Sequence, residues 1–359
     1  MHSETSAIIL KMTYGYSLGK EATDPLVSLI EEMMDHFSKT FVPLAWLVDL
    51  IPQLRHLPDG FPGTGYRKTA REWYQLSRSV LDTPYNFVRQ QMASGINPAS
   101  YVSGLVDRLS HSSEGEGKLS KLDEETVKLT AAVLYGGGAD TTLSTLVSFV
   151  LAMLLFPEVQ RKAQKEIDDV LGPARLPAVE DRERLPYIDA LVKEALRWLP
   201  VVPIGTAHVA DEEIVYERYR IPKGAYLLPS IWWFLHDPEV YSDPSSFNPD
   251  RFLEPRNEPD PADHAFGYGR RICPGRFLAQ ESLFITISRV LATFDITRAV
   301  DDEGRELEVK LEPKPGLLCH PAPFPYKIRA RSKEHADLIR SVERDHPWEI
   351  SDARFLNMS

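Results

Sequence analysis

The stretch Phe266-Gly267-Tyr268-Gly269-Arg270-Arg271-Ile272-Cys273-Pro274-Gly275 decides how the rest of the chain is read. A cysteine one residue ahead of proline, with glycines at 269 and 275, presents its sulfur on a tight loop rather than inside a regular element. Gly269 takes a positive φ at no steric cost, and Gly275 has no side chain to hold a flat partner away from the helix that follows. Arg271, two residues from the sulfur, brings a fixed positive charge that favours a thiolate and a planar guanidinium that suits a carboxylate. Taken alone, Cys273 reads as a buried cysteine in an ordinary Gly-rich turn, since free cysteines are mostly small core hydrophobes. The spaced residues around it turn the reading toward a ligand.

Composition narrows the classes. With 359 residues, 43% of them hydrophobic, the chain has the make-up of a globular protein that buries one large core or two ordinary ones. A formal net charge of -11 argues against nucleic acid or an acidic membrane surface as a general partner. Cys273 and Cys319 are the only two cysteines, too few for a disulfide framework or a four-cysteine zinc or iron-sulfur site, and they suit a reducing compartment. No run reaches the roughly 20 consecutive apolar residues of a membrane span, and Met1-His2-Ser3-Glu4 lacks a basic leader region. Neither an anchor nor a secretory leader is expected in this stretch of chain.

A second anchor lies in a helix predicted from about Leu122 to Phe156, which contains Gly136-Gly137-Gly138-Ala139-Asp140-Thr141-Thr142. Three glycines inside a helix cost about 1 kcal/mol each relative to alanine. Either another helix or a flat cofactor approaches the backbone there, or the helix widens locally and leaves carbonyls unpaired. Asp140 and Thr141 add an acid and a hydroxyl, the parts needed to pass protons to a bound ligand. On its own the glycine run reads as packing. A third group is Glu194 and Arg197, at i and i+3 of a helix predicted over 187–199, with Arg251 in the proline-framed loop Phe247-Asn248-Pro249-Asp250-Arg251-Phe252. A buried network of these three is a structural feature, and removing one member leaves charge uncompensated.

In chain order, the glycine run with Asp140 and Thr141, the Glu194/Arg197 pair, the Arg251 loop and the Cys273 loop resemble the four motifs of the cytochrome P-450 family, the haem-thiolate monooxygenases. Ile9-Leu10-Lys11-Met12-Thr13-Tyr14-Gly15-Tyr16 and the run from His264 to Arg271 are similar to fungal microsomal members that oxidise aromatic polyketides such as O-methylsterigmatocystin. The resemblance covers residues 5–330 and implies a mainly α (α+β) fold, a helical core with small antiparallel sheets, lacking the family's N-terminal anchor, first strands and early helices. It implies haem b with Cys273 as axial iron ligand, Phe266 beside the sulfur, Gly269 and Gly275 shaping the loop, and Arg271 and His208 on the haem propionates. Asp140 and Thr141 would relay protons to iron-bound dioxygen. It further implies a small apolar organic substrate, a separate NADPH-dependent reductase docked near Arg270 and Arg276, peripheral membrane contact, a monomer, no nucleic acid, and the cytosolic face of the endoplasmic reticulum. Fungal secondary metabolism is the expected setting. Two alternatives stay open: a haem-thiolate isomerase, and an inactive or merely haem-binding fragment.

The remaining sequence is read more coarsely. Apolar residues at helical spacing predict helices over 24–37, 66–92, 158–171 and 277–294. The apolar segment 41–54, broken by Pro43 and Pro52, reads as part of a helix pair joined by a proline-rich loop. Residues 111–117 read as a loop, 201–206 as a strand lining a pocket, and 214–216, 219–221 and 225–228 as a small sheet. Cys319 reads as a small core residue. A domain over 1–330 is expected, followed by a charged, loosely attached extension over 331–359.

Overall fold

A computed structural model describes residues 2–20, 23–42, 44–112 and 119–356. The loop expected at 111–117 falls largely outside these residues, as does Pro43. The chain forms two compact units, residues 1–143 with 345–359, and residues 144–344.

The first unit starts on the apolar run of the sequence. Helix α1 (His2–Tyr14) buries Leu10 and Tyr14, and Tyr16 just beyond it is fully buried. Asp24 then caps α2 (Pro25–Thr40): its carboxylate accepts the Leu26 N–H at 2.8 Å and the Tyr16 hydroxyl at 2.7 Å, with Pro25 preset for the first turn. Leu26, Ile30 and Met34, four residues apart, form the buried stripe of α2.

No second long helix follows. Among the described residues of 41–65, regular structure is limited to the single turn α3 (Leu47–Leu50) and a 3₁₀ turn at Pro52–His56. Pro52 supplies no N–H and disfavours a helical Ile51, while Leu44 sits at φ 62°. The apolar side chains of this segment, Leu44, Leu47, Leu50 and Ile51, are exposed, so their hydrophobicity marks a surface and not a helix stripe. The long helix α4 (Tyr66–Ala93) packs along α2, with Trp73 stacked on His36 at 4.5 Å. Helix α5 (Tyr101–Ser112) escaped the sequence reading; Ser100 and Ser103 bond each other's backbone N–H at its start, and Val102 and Val106 are buried.

Helix α6 (Lys121–Leu155) carries the chain from the first unit into the second. Among the described residues it is the one helix long and apolar enough to cross a membrane, and 67% of its most apolar window is buried, as in a core helix.

In the second unit, α7 (Pro157–Leu171) ends at Gly172, φ 69°, and α8 (Pro186–Trp198) buries nearly its whole surface. Among the described residues, six strands form three two-stranded antiparallel ladders. Strand β1 (His208–Val209) pairs with β4 (Tyr226–Leu227), β2 (Ile214–Tyr216) with β3 (Tyr219–Ile221), and β5 (Phe294–Arg298) with β6 (Tyr326–Ala330). The Gln160 amide of α7 joins that last ladder by accepting from Ile296 N and donating to Ile296 O. Residues 201–206 are turn and coil, not the expected strand: Gly205 at φ 58° closes a turn onto Val202, and a Cβ there would meet Pro229 at 2.4 Å. Two single-turn helices, α9 (Ile231–Phe234) and α10 (Ala262–Ala265), lead to α11 (Arg276–Thr293), and α12 (Lys333–Asp345) closes the unit. The fold is thus mainly helical with small antiparallel sheets, as the sequence implies.

The end of the chain differs from expectation. Within the first unit, Glu349 bonds Lys11 and Ser17, and Asp352 exchanges backbone and side-chain hydrogen bonds with Ser17. Ser351 lies so close to Gly19 that a Cβ at 19 would meet it at 2.8 Å. Residues 349–352 are held against the end of α1 and the residues just after it.

Asp24→Ala removes the α2 cap and the partner of the Tyr16 hydroxyl. It is expected to lower stability by about 1–2 kcal/mol, read as a lower urea midpoint in Trp46 and Trp73 fluorescence; an unchanged midpoint contradicts the assignment.

Candidate active site

In the second unit, the backbone closes the cysteine loop before any side chain acts. Cys273 N–H donates to Phe266 C=O at 2.8 Å, which ties the ends of the loop, and Ile272 N–H donates to Gly269 C=O at 3.2 Å inside it. Gly267 and Gly269 hold φ of 76° and 58°, the left-handed region that side chains rarely adopt. A Cβ on Gly275 would meet only the Cys273 sulfur, at 3.9 Å, so the missing side chain keeps one approach to the thiol clear. The thiol is half-buried and in no disulfide. Cys319, by contrast, is buried, with its thiol pushed up to about 11 by burial, and its backbone is taken by Val201 and Ser144.

Cations gather beside this loop. A cavity of about 510 Å³ is lined by His208, Tyr268, Gly269, Arg270 and Arg271. The strand β1 places His208 there, and the 3₁₀ turn Gly269–Arg271 places both arginines. Three basic side chains on one cavity form a binding place for carboxylates. Phe266 contributes its carbonyl to the cysteine and lines a second cavity of about 320 Å³ with Arg276. Arg276 also lies over the Phe277 ring at 4.2 Å. His264 is engaged by the Tyr268 hydroxyl at 2.7 Å.

The loop rests on a buried charge network. Arg197 holds Glu194 through two bonds of 2.7 and 2.9 Å, and Arg251 Nε reaches the same carboxylate at 3.1 Å; all three side chains are fully buried. The network has a fourth member that the sequence reading lacked. Glu258 bonds Arg251 at 2.6 Å and Arg256, giving the two buried arginines two carboxylates. Burial pushes the Glu258 carboxyl up, but the bonds from Arg256 and Arg251 outweigh it and hold the group below the ordinary glutamate value. The spare N–H groups go to the carbonyls of Leu235, Ser242, Asp243, Pro244 and Ser246. From there Lys193 bonds Asp260 at 3.2 Å, and Asp260 caps the turn into α10, which ends at Phe266.

In the first unit, the glycine run of α6 resolves into three faces, because successive helix positions turn by about 100°. A Cβ at Gly136 would meet Met34 of α2 at 3.2 Å, and one at Gly138 would meet Ile9 of α1 at 2.7 Å. At Gly137 it would meet nothing within 4 Å. Two glycines therefore admit neighbouring helices, and the third lies on an open face shared with Val133, Leu134 and Thr141. The Thr141 hydroxyl donates to Gly137 C=O at 2.6 Å, which fixes its orientation one turn along the same face. Asp140 is the neighbouring acid.

A half-buried thiol on a glycine loop thus stands beside grouped basic side chains in a mainly helical fold. A family model described as cytochrome P450 matches residues 4–328. Cytochrome P450 monooxygenase CLM2 of Gibberella zeae is 51% identical over 357 residues, covering 99% of this chain and 67% of that protein. Multifunctional cytochrome P450 monooxygenase af510 of Aspergillus fumigatus is 47% identical, covering 99% and 66%. O-methylsterigmatocystin oxidoreductase of Aspergillus flavus is 40% identical, covering 98% and 65%. The chain belongs to the cytochrome P450 family, and it spans about two thirds of the length of these curated relatives. The residues around the Cys273 sulfur fit a haem: Gly275 leaves the sulfur accessible, and the cavity lined by Arg271 and His208 suits acidic groups.

His236, absent from the sequence reading, sits beside the charge network. Its ring stacks on Trp232 at 4.5 Å, and Nδ1–H donates to Trp232 C=O at 2.8 Å. Burial, with the charges of Arg197 and Arg251, lowers its pKa from 6.5 to about 4. The folded state stays neutral while the unfolded chain takes up a proton below pH 6.5. Stability is therefore expected to fall as pH drops from about 6.5 to 4. His236→Asn, which keeps a donor but does not titrate, removes that part of the slope in a series of melts; an unchanged slope contradicts it.

Proposed function

We propose that this chain forms the haem-binding and oxygen-activating part of a monooxygenase that inserts one oxygen atom from O₂ into an apolar organic substrate. The observation that carries the reading is the geometry of Cys273: a half-buried thiol on a loop closed by its own backbone, with a glycine facing the sulfur. When bound, haem b supplies the iron chemistry, with thiolate donation favouring O–O cleavage. The protein's share is to hold and to deliver. Cys273 holds the iron, while Arg271 and His208 bind the propionates as a charge-matched pair of donors. Thr141, whose hydroxyl is oriented by Gly137 C=O, and Asp140 pass protons toward oxygen. Glu194, Arg197, Arg251 and Glu258 take no part in the chemistry; they hold the loop.

Electrons come from NADPH through a separate reductase, for which Arg270 and Arg276 are the basic contacts. The presence of both Asp140 and Thr141 favours oxygen insertion over isomerisation. The exposed apolar side chains of Phe41, Leu44, Leu47, Leu50 and Ile51 suit peripheral contact with a membrane, in keeping with a monomer on the cytosolic face of the endoplasmic reticulum. Fungal relatives, one named for O-methylsterigmatocystin, support a substrate from secondary metabolism.

Haem-reconstituted chain, reduced with dithionite under carbon monoxide, is expected to give a strongly red-shifted Soret band that Cys273→Ala abolishes. A band at the position of histidine-ligated or unligated haem, or no haem uptake at all, overturns the reading.

A further inference from the structure

Something must fix the roll of the helix that carries Asp140 and Thr141, and within the first unit the candidates are few. The Tyr135 hydroxyl donates to Leu26 C=O at 3.0 Å, and the Tyr135 ring meets Tyr14 edge-on at 6.1 Å, so one turn of α6 is held by α1 and α2 together. One turn later the nearest atoms to a Cβ built at 138 are those of Ile9. An ideal Cβ there would stand 2.7 Å from its Cδ1 and 2.9 Å from its Cγ1. Both distances are shorter than carbon atoms tolerate. Cδ1 can swing aside about χ2, but Cγ1 moves only with χ1, for which a β-branched side chain has few alternative wells. Helix α1 cannot back away, because Leu10, Thr13 and Tyr14 are buried.

We propose that Ile9 is a positioning residue: seated on the bare Cα of Gly138, it sets the height and roll of the α6 turn that presents Asp140 and Thr141. The proposal rests on the oxygen-activating reading above. Gly137 C=O, which orients the Thr141 hydroxyl, belongs to the peptide that joins 137 to 138. Any displacement of residue 138 therefore reaches Thr141 through that carbonyl. Glycine at 138 is thus demanded by a neighbour on α1, while glycine at 137 keeps the open face clear.

The test is a double-mutant cycle in the full chain, with Gly138→Ala, Ile9→Ala and the pair. Amide hydrogen exchange over residues 139–143 is the first readout, because its sign separates two explanations. Alanine favours a helix over glycine, so without a clash Gly138→Ala slows exchange. With Ile9 in place it is expected to speed exchange about tenfold, and Ile9→Ala/Gly138→Ala to bring it back to or below the wild-type rate. In haem-loaded protein, the fraction of NADPH electrons lost as peroxide rises and returns in parallel. Slower exchange in Gly138→Ala, no rescue by Ile9→Ala, or a peroxide fraction that stays at the wild-type value overturns the proposal. A wild-type chain that takes up no haem overturns the functional reading instead, and the exchange cycle still decides whether Ile9 sets the turn.

Discussion

The carboxylate of Glu194 is the constraint on which the second unit depends. It has no exposure to water, and an ionised group in that position costs many kcal/mol unless it is met by charge and hydrogen bonds. Arg197 with two bonds and Arg251 with one meet it from two directions, and Asn248 N–H adds a fourth bond at 2.7 Å. Because Arg251 stands in a loop with almost no regular structure, this requirement, and not a ladder of backbone bonds, decides where residues 242–258 run. The carbonyls of Ser242, Asp243, Pro244 and Ser246 then accept from the two guanidinium groups, and that of Ser245 from the Trp198 indole. The next turn, through Asp260 and α10, delivers Phe266 to the place where its carbonyl can close the cysteine loop. A charge buried in a helix thus positions a sulfur some eighty residues later, without touching it.

The first unit solves a different problem with less charge. A helix that must pass two neighbours closely and still present a polar turn cannot carry ordinary side chains at every position. Gly136 admits Met34 and Gly138 admits Ile9, while Gly137 leaves its face bare. The cost of three glycines is offset by the apolar contacts they admit and by the aromatic and hydrogen-bonded hold on Tyr135. The glycine motif is then a packing device at two positions and an open face at the position between them.

What was legible in the sequence was what is encoded locally. The cysteine loop, the acid and hydroxyl after the glycines, and the Glu194–Arg197 pair are fixed spacings, and the long helices announce themselves by apolar period. What was hidden depends on partners far away in the chain. Glu258 is one more acid in a Pro-rich loop until Arg251 is placed beside it, and His236 is an ordinary histidine until Trp232 and two arginines surround it. Strands β5 and β6 are five residues each and become a ladder only after some thirty residues of intervening chain are folded. The segment 41–54 misled for a physical reason: its apolar residues are numerous but exposed, and hydrophobic content without a buried stripe is no sign of a helix. The anchoring of Glu349 and Asp352 to Lys11 and Ser17 joins the two ends of the sequence, and no local pattern could announce it.

The central claim is that Cys273, and not Cys319 or a histidine, donates to the iron. X-ray absorption at the iron edge of haem-loaded chain addresses it directly. A sulfur in the iron coordination sphere that is lost in Cys273→Ser and retained in Cys319→Ser is the predicted result. A sphere of nitrogen and oxygen alone in the wild type, or a sulfur that survives Cys273→Ser, contradicts the account.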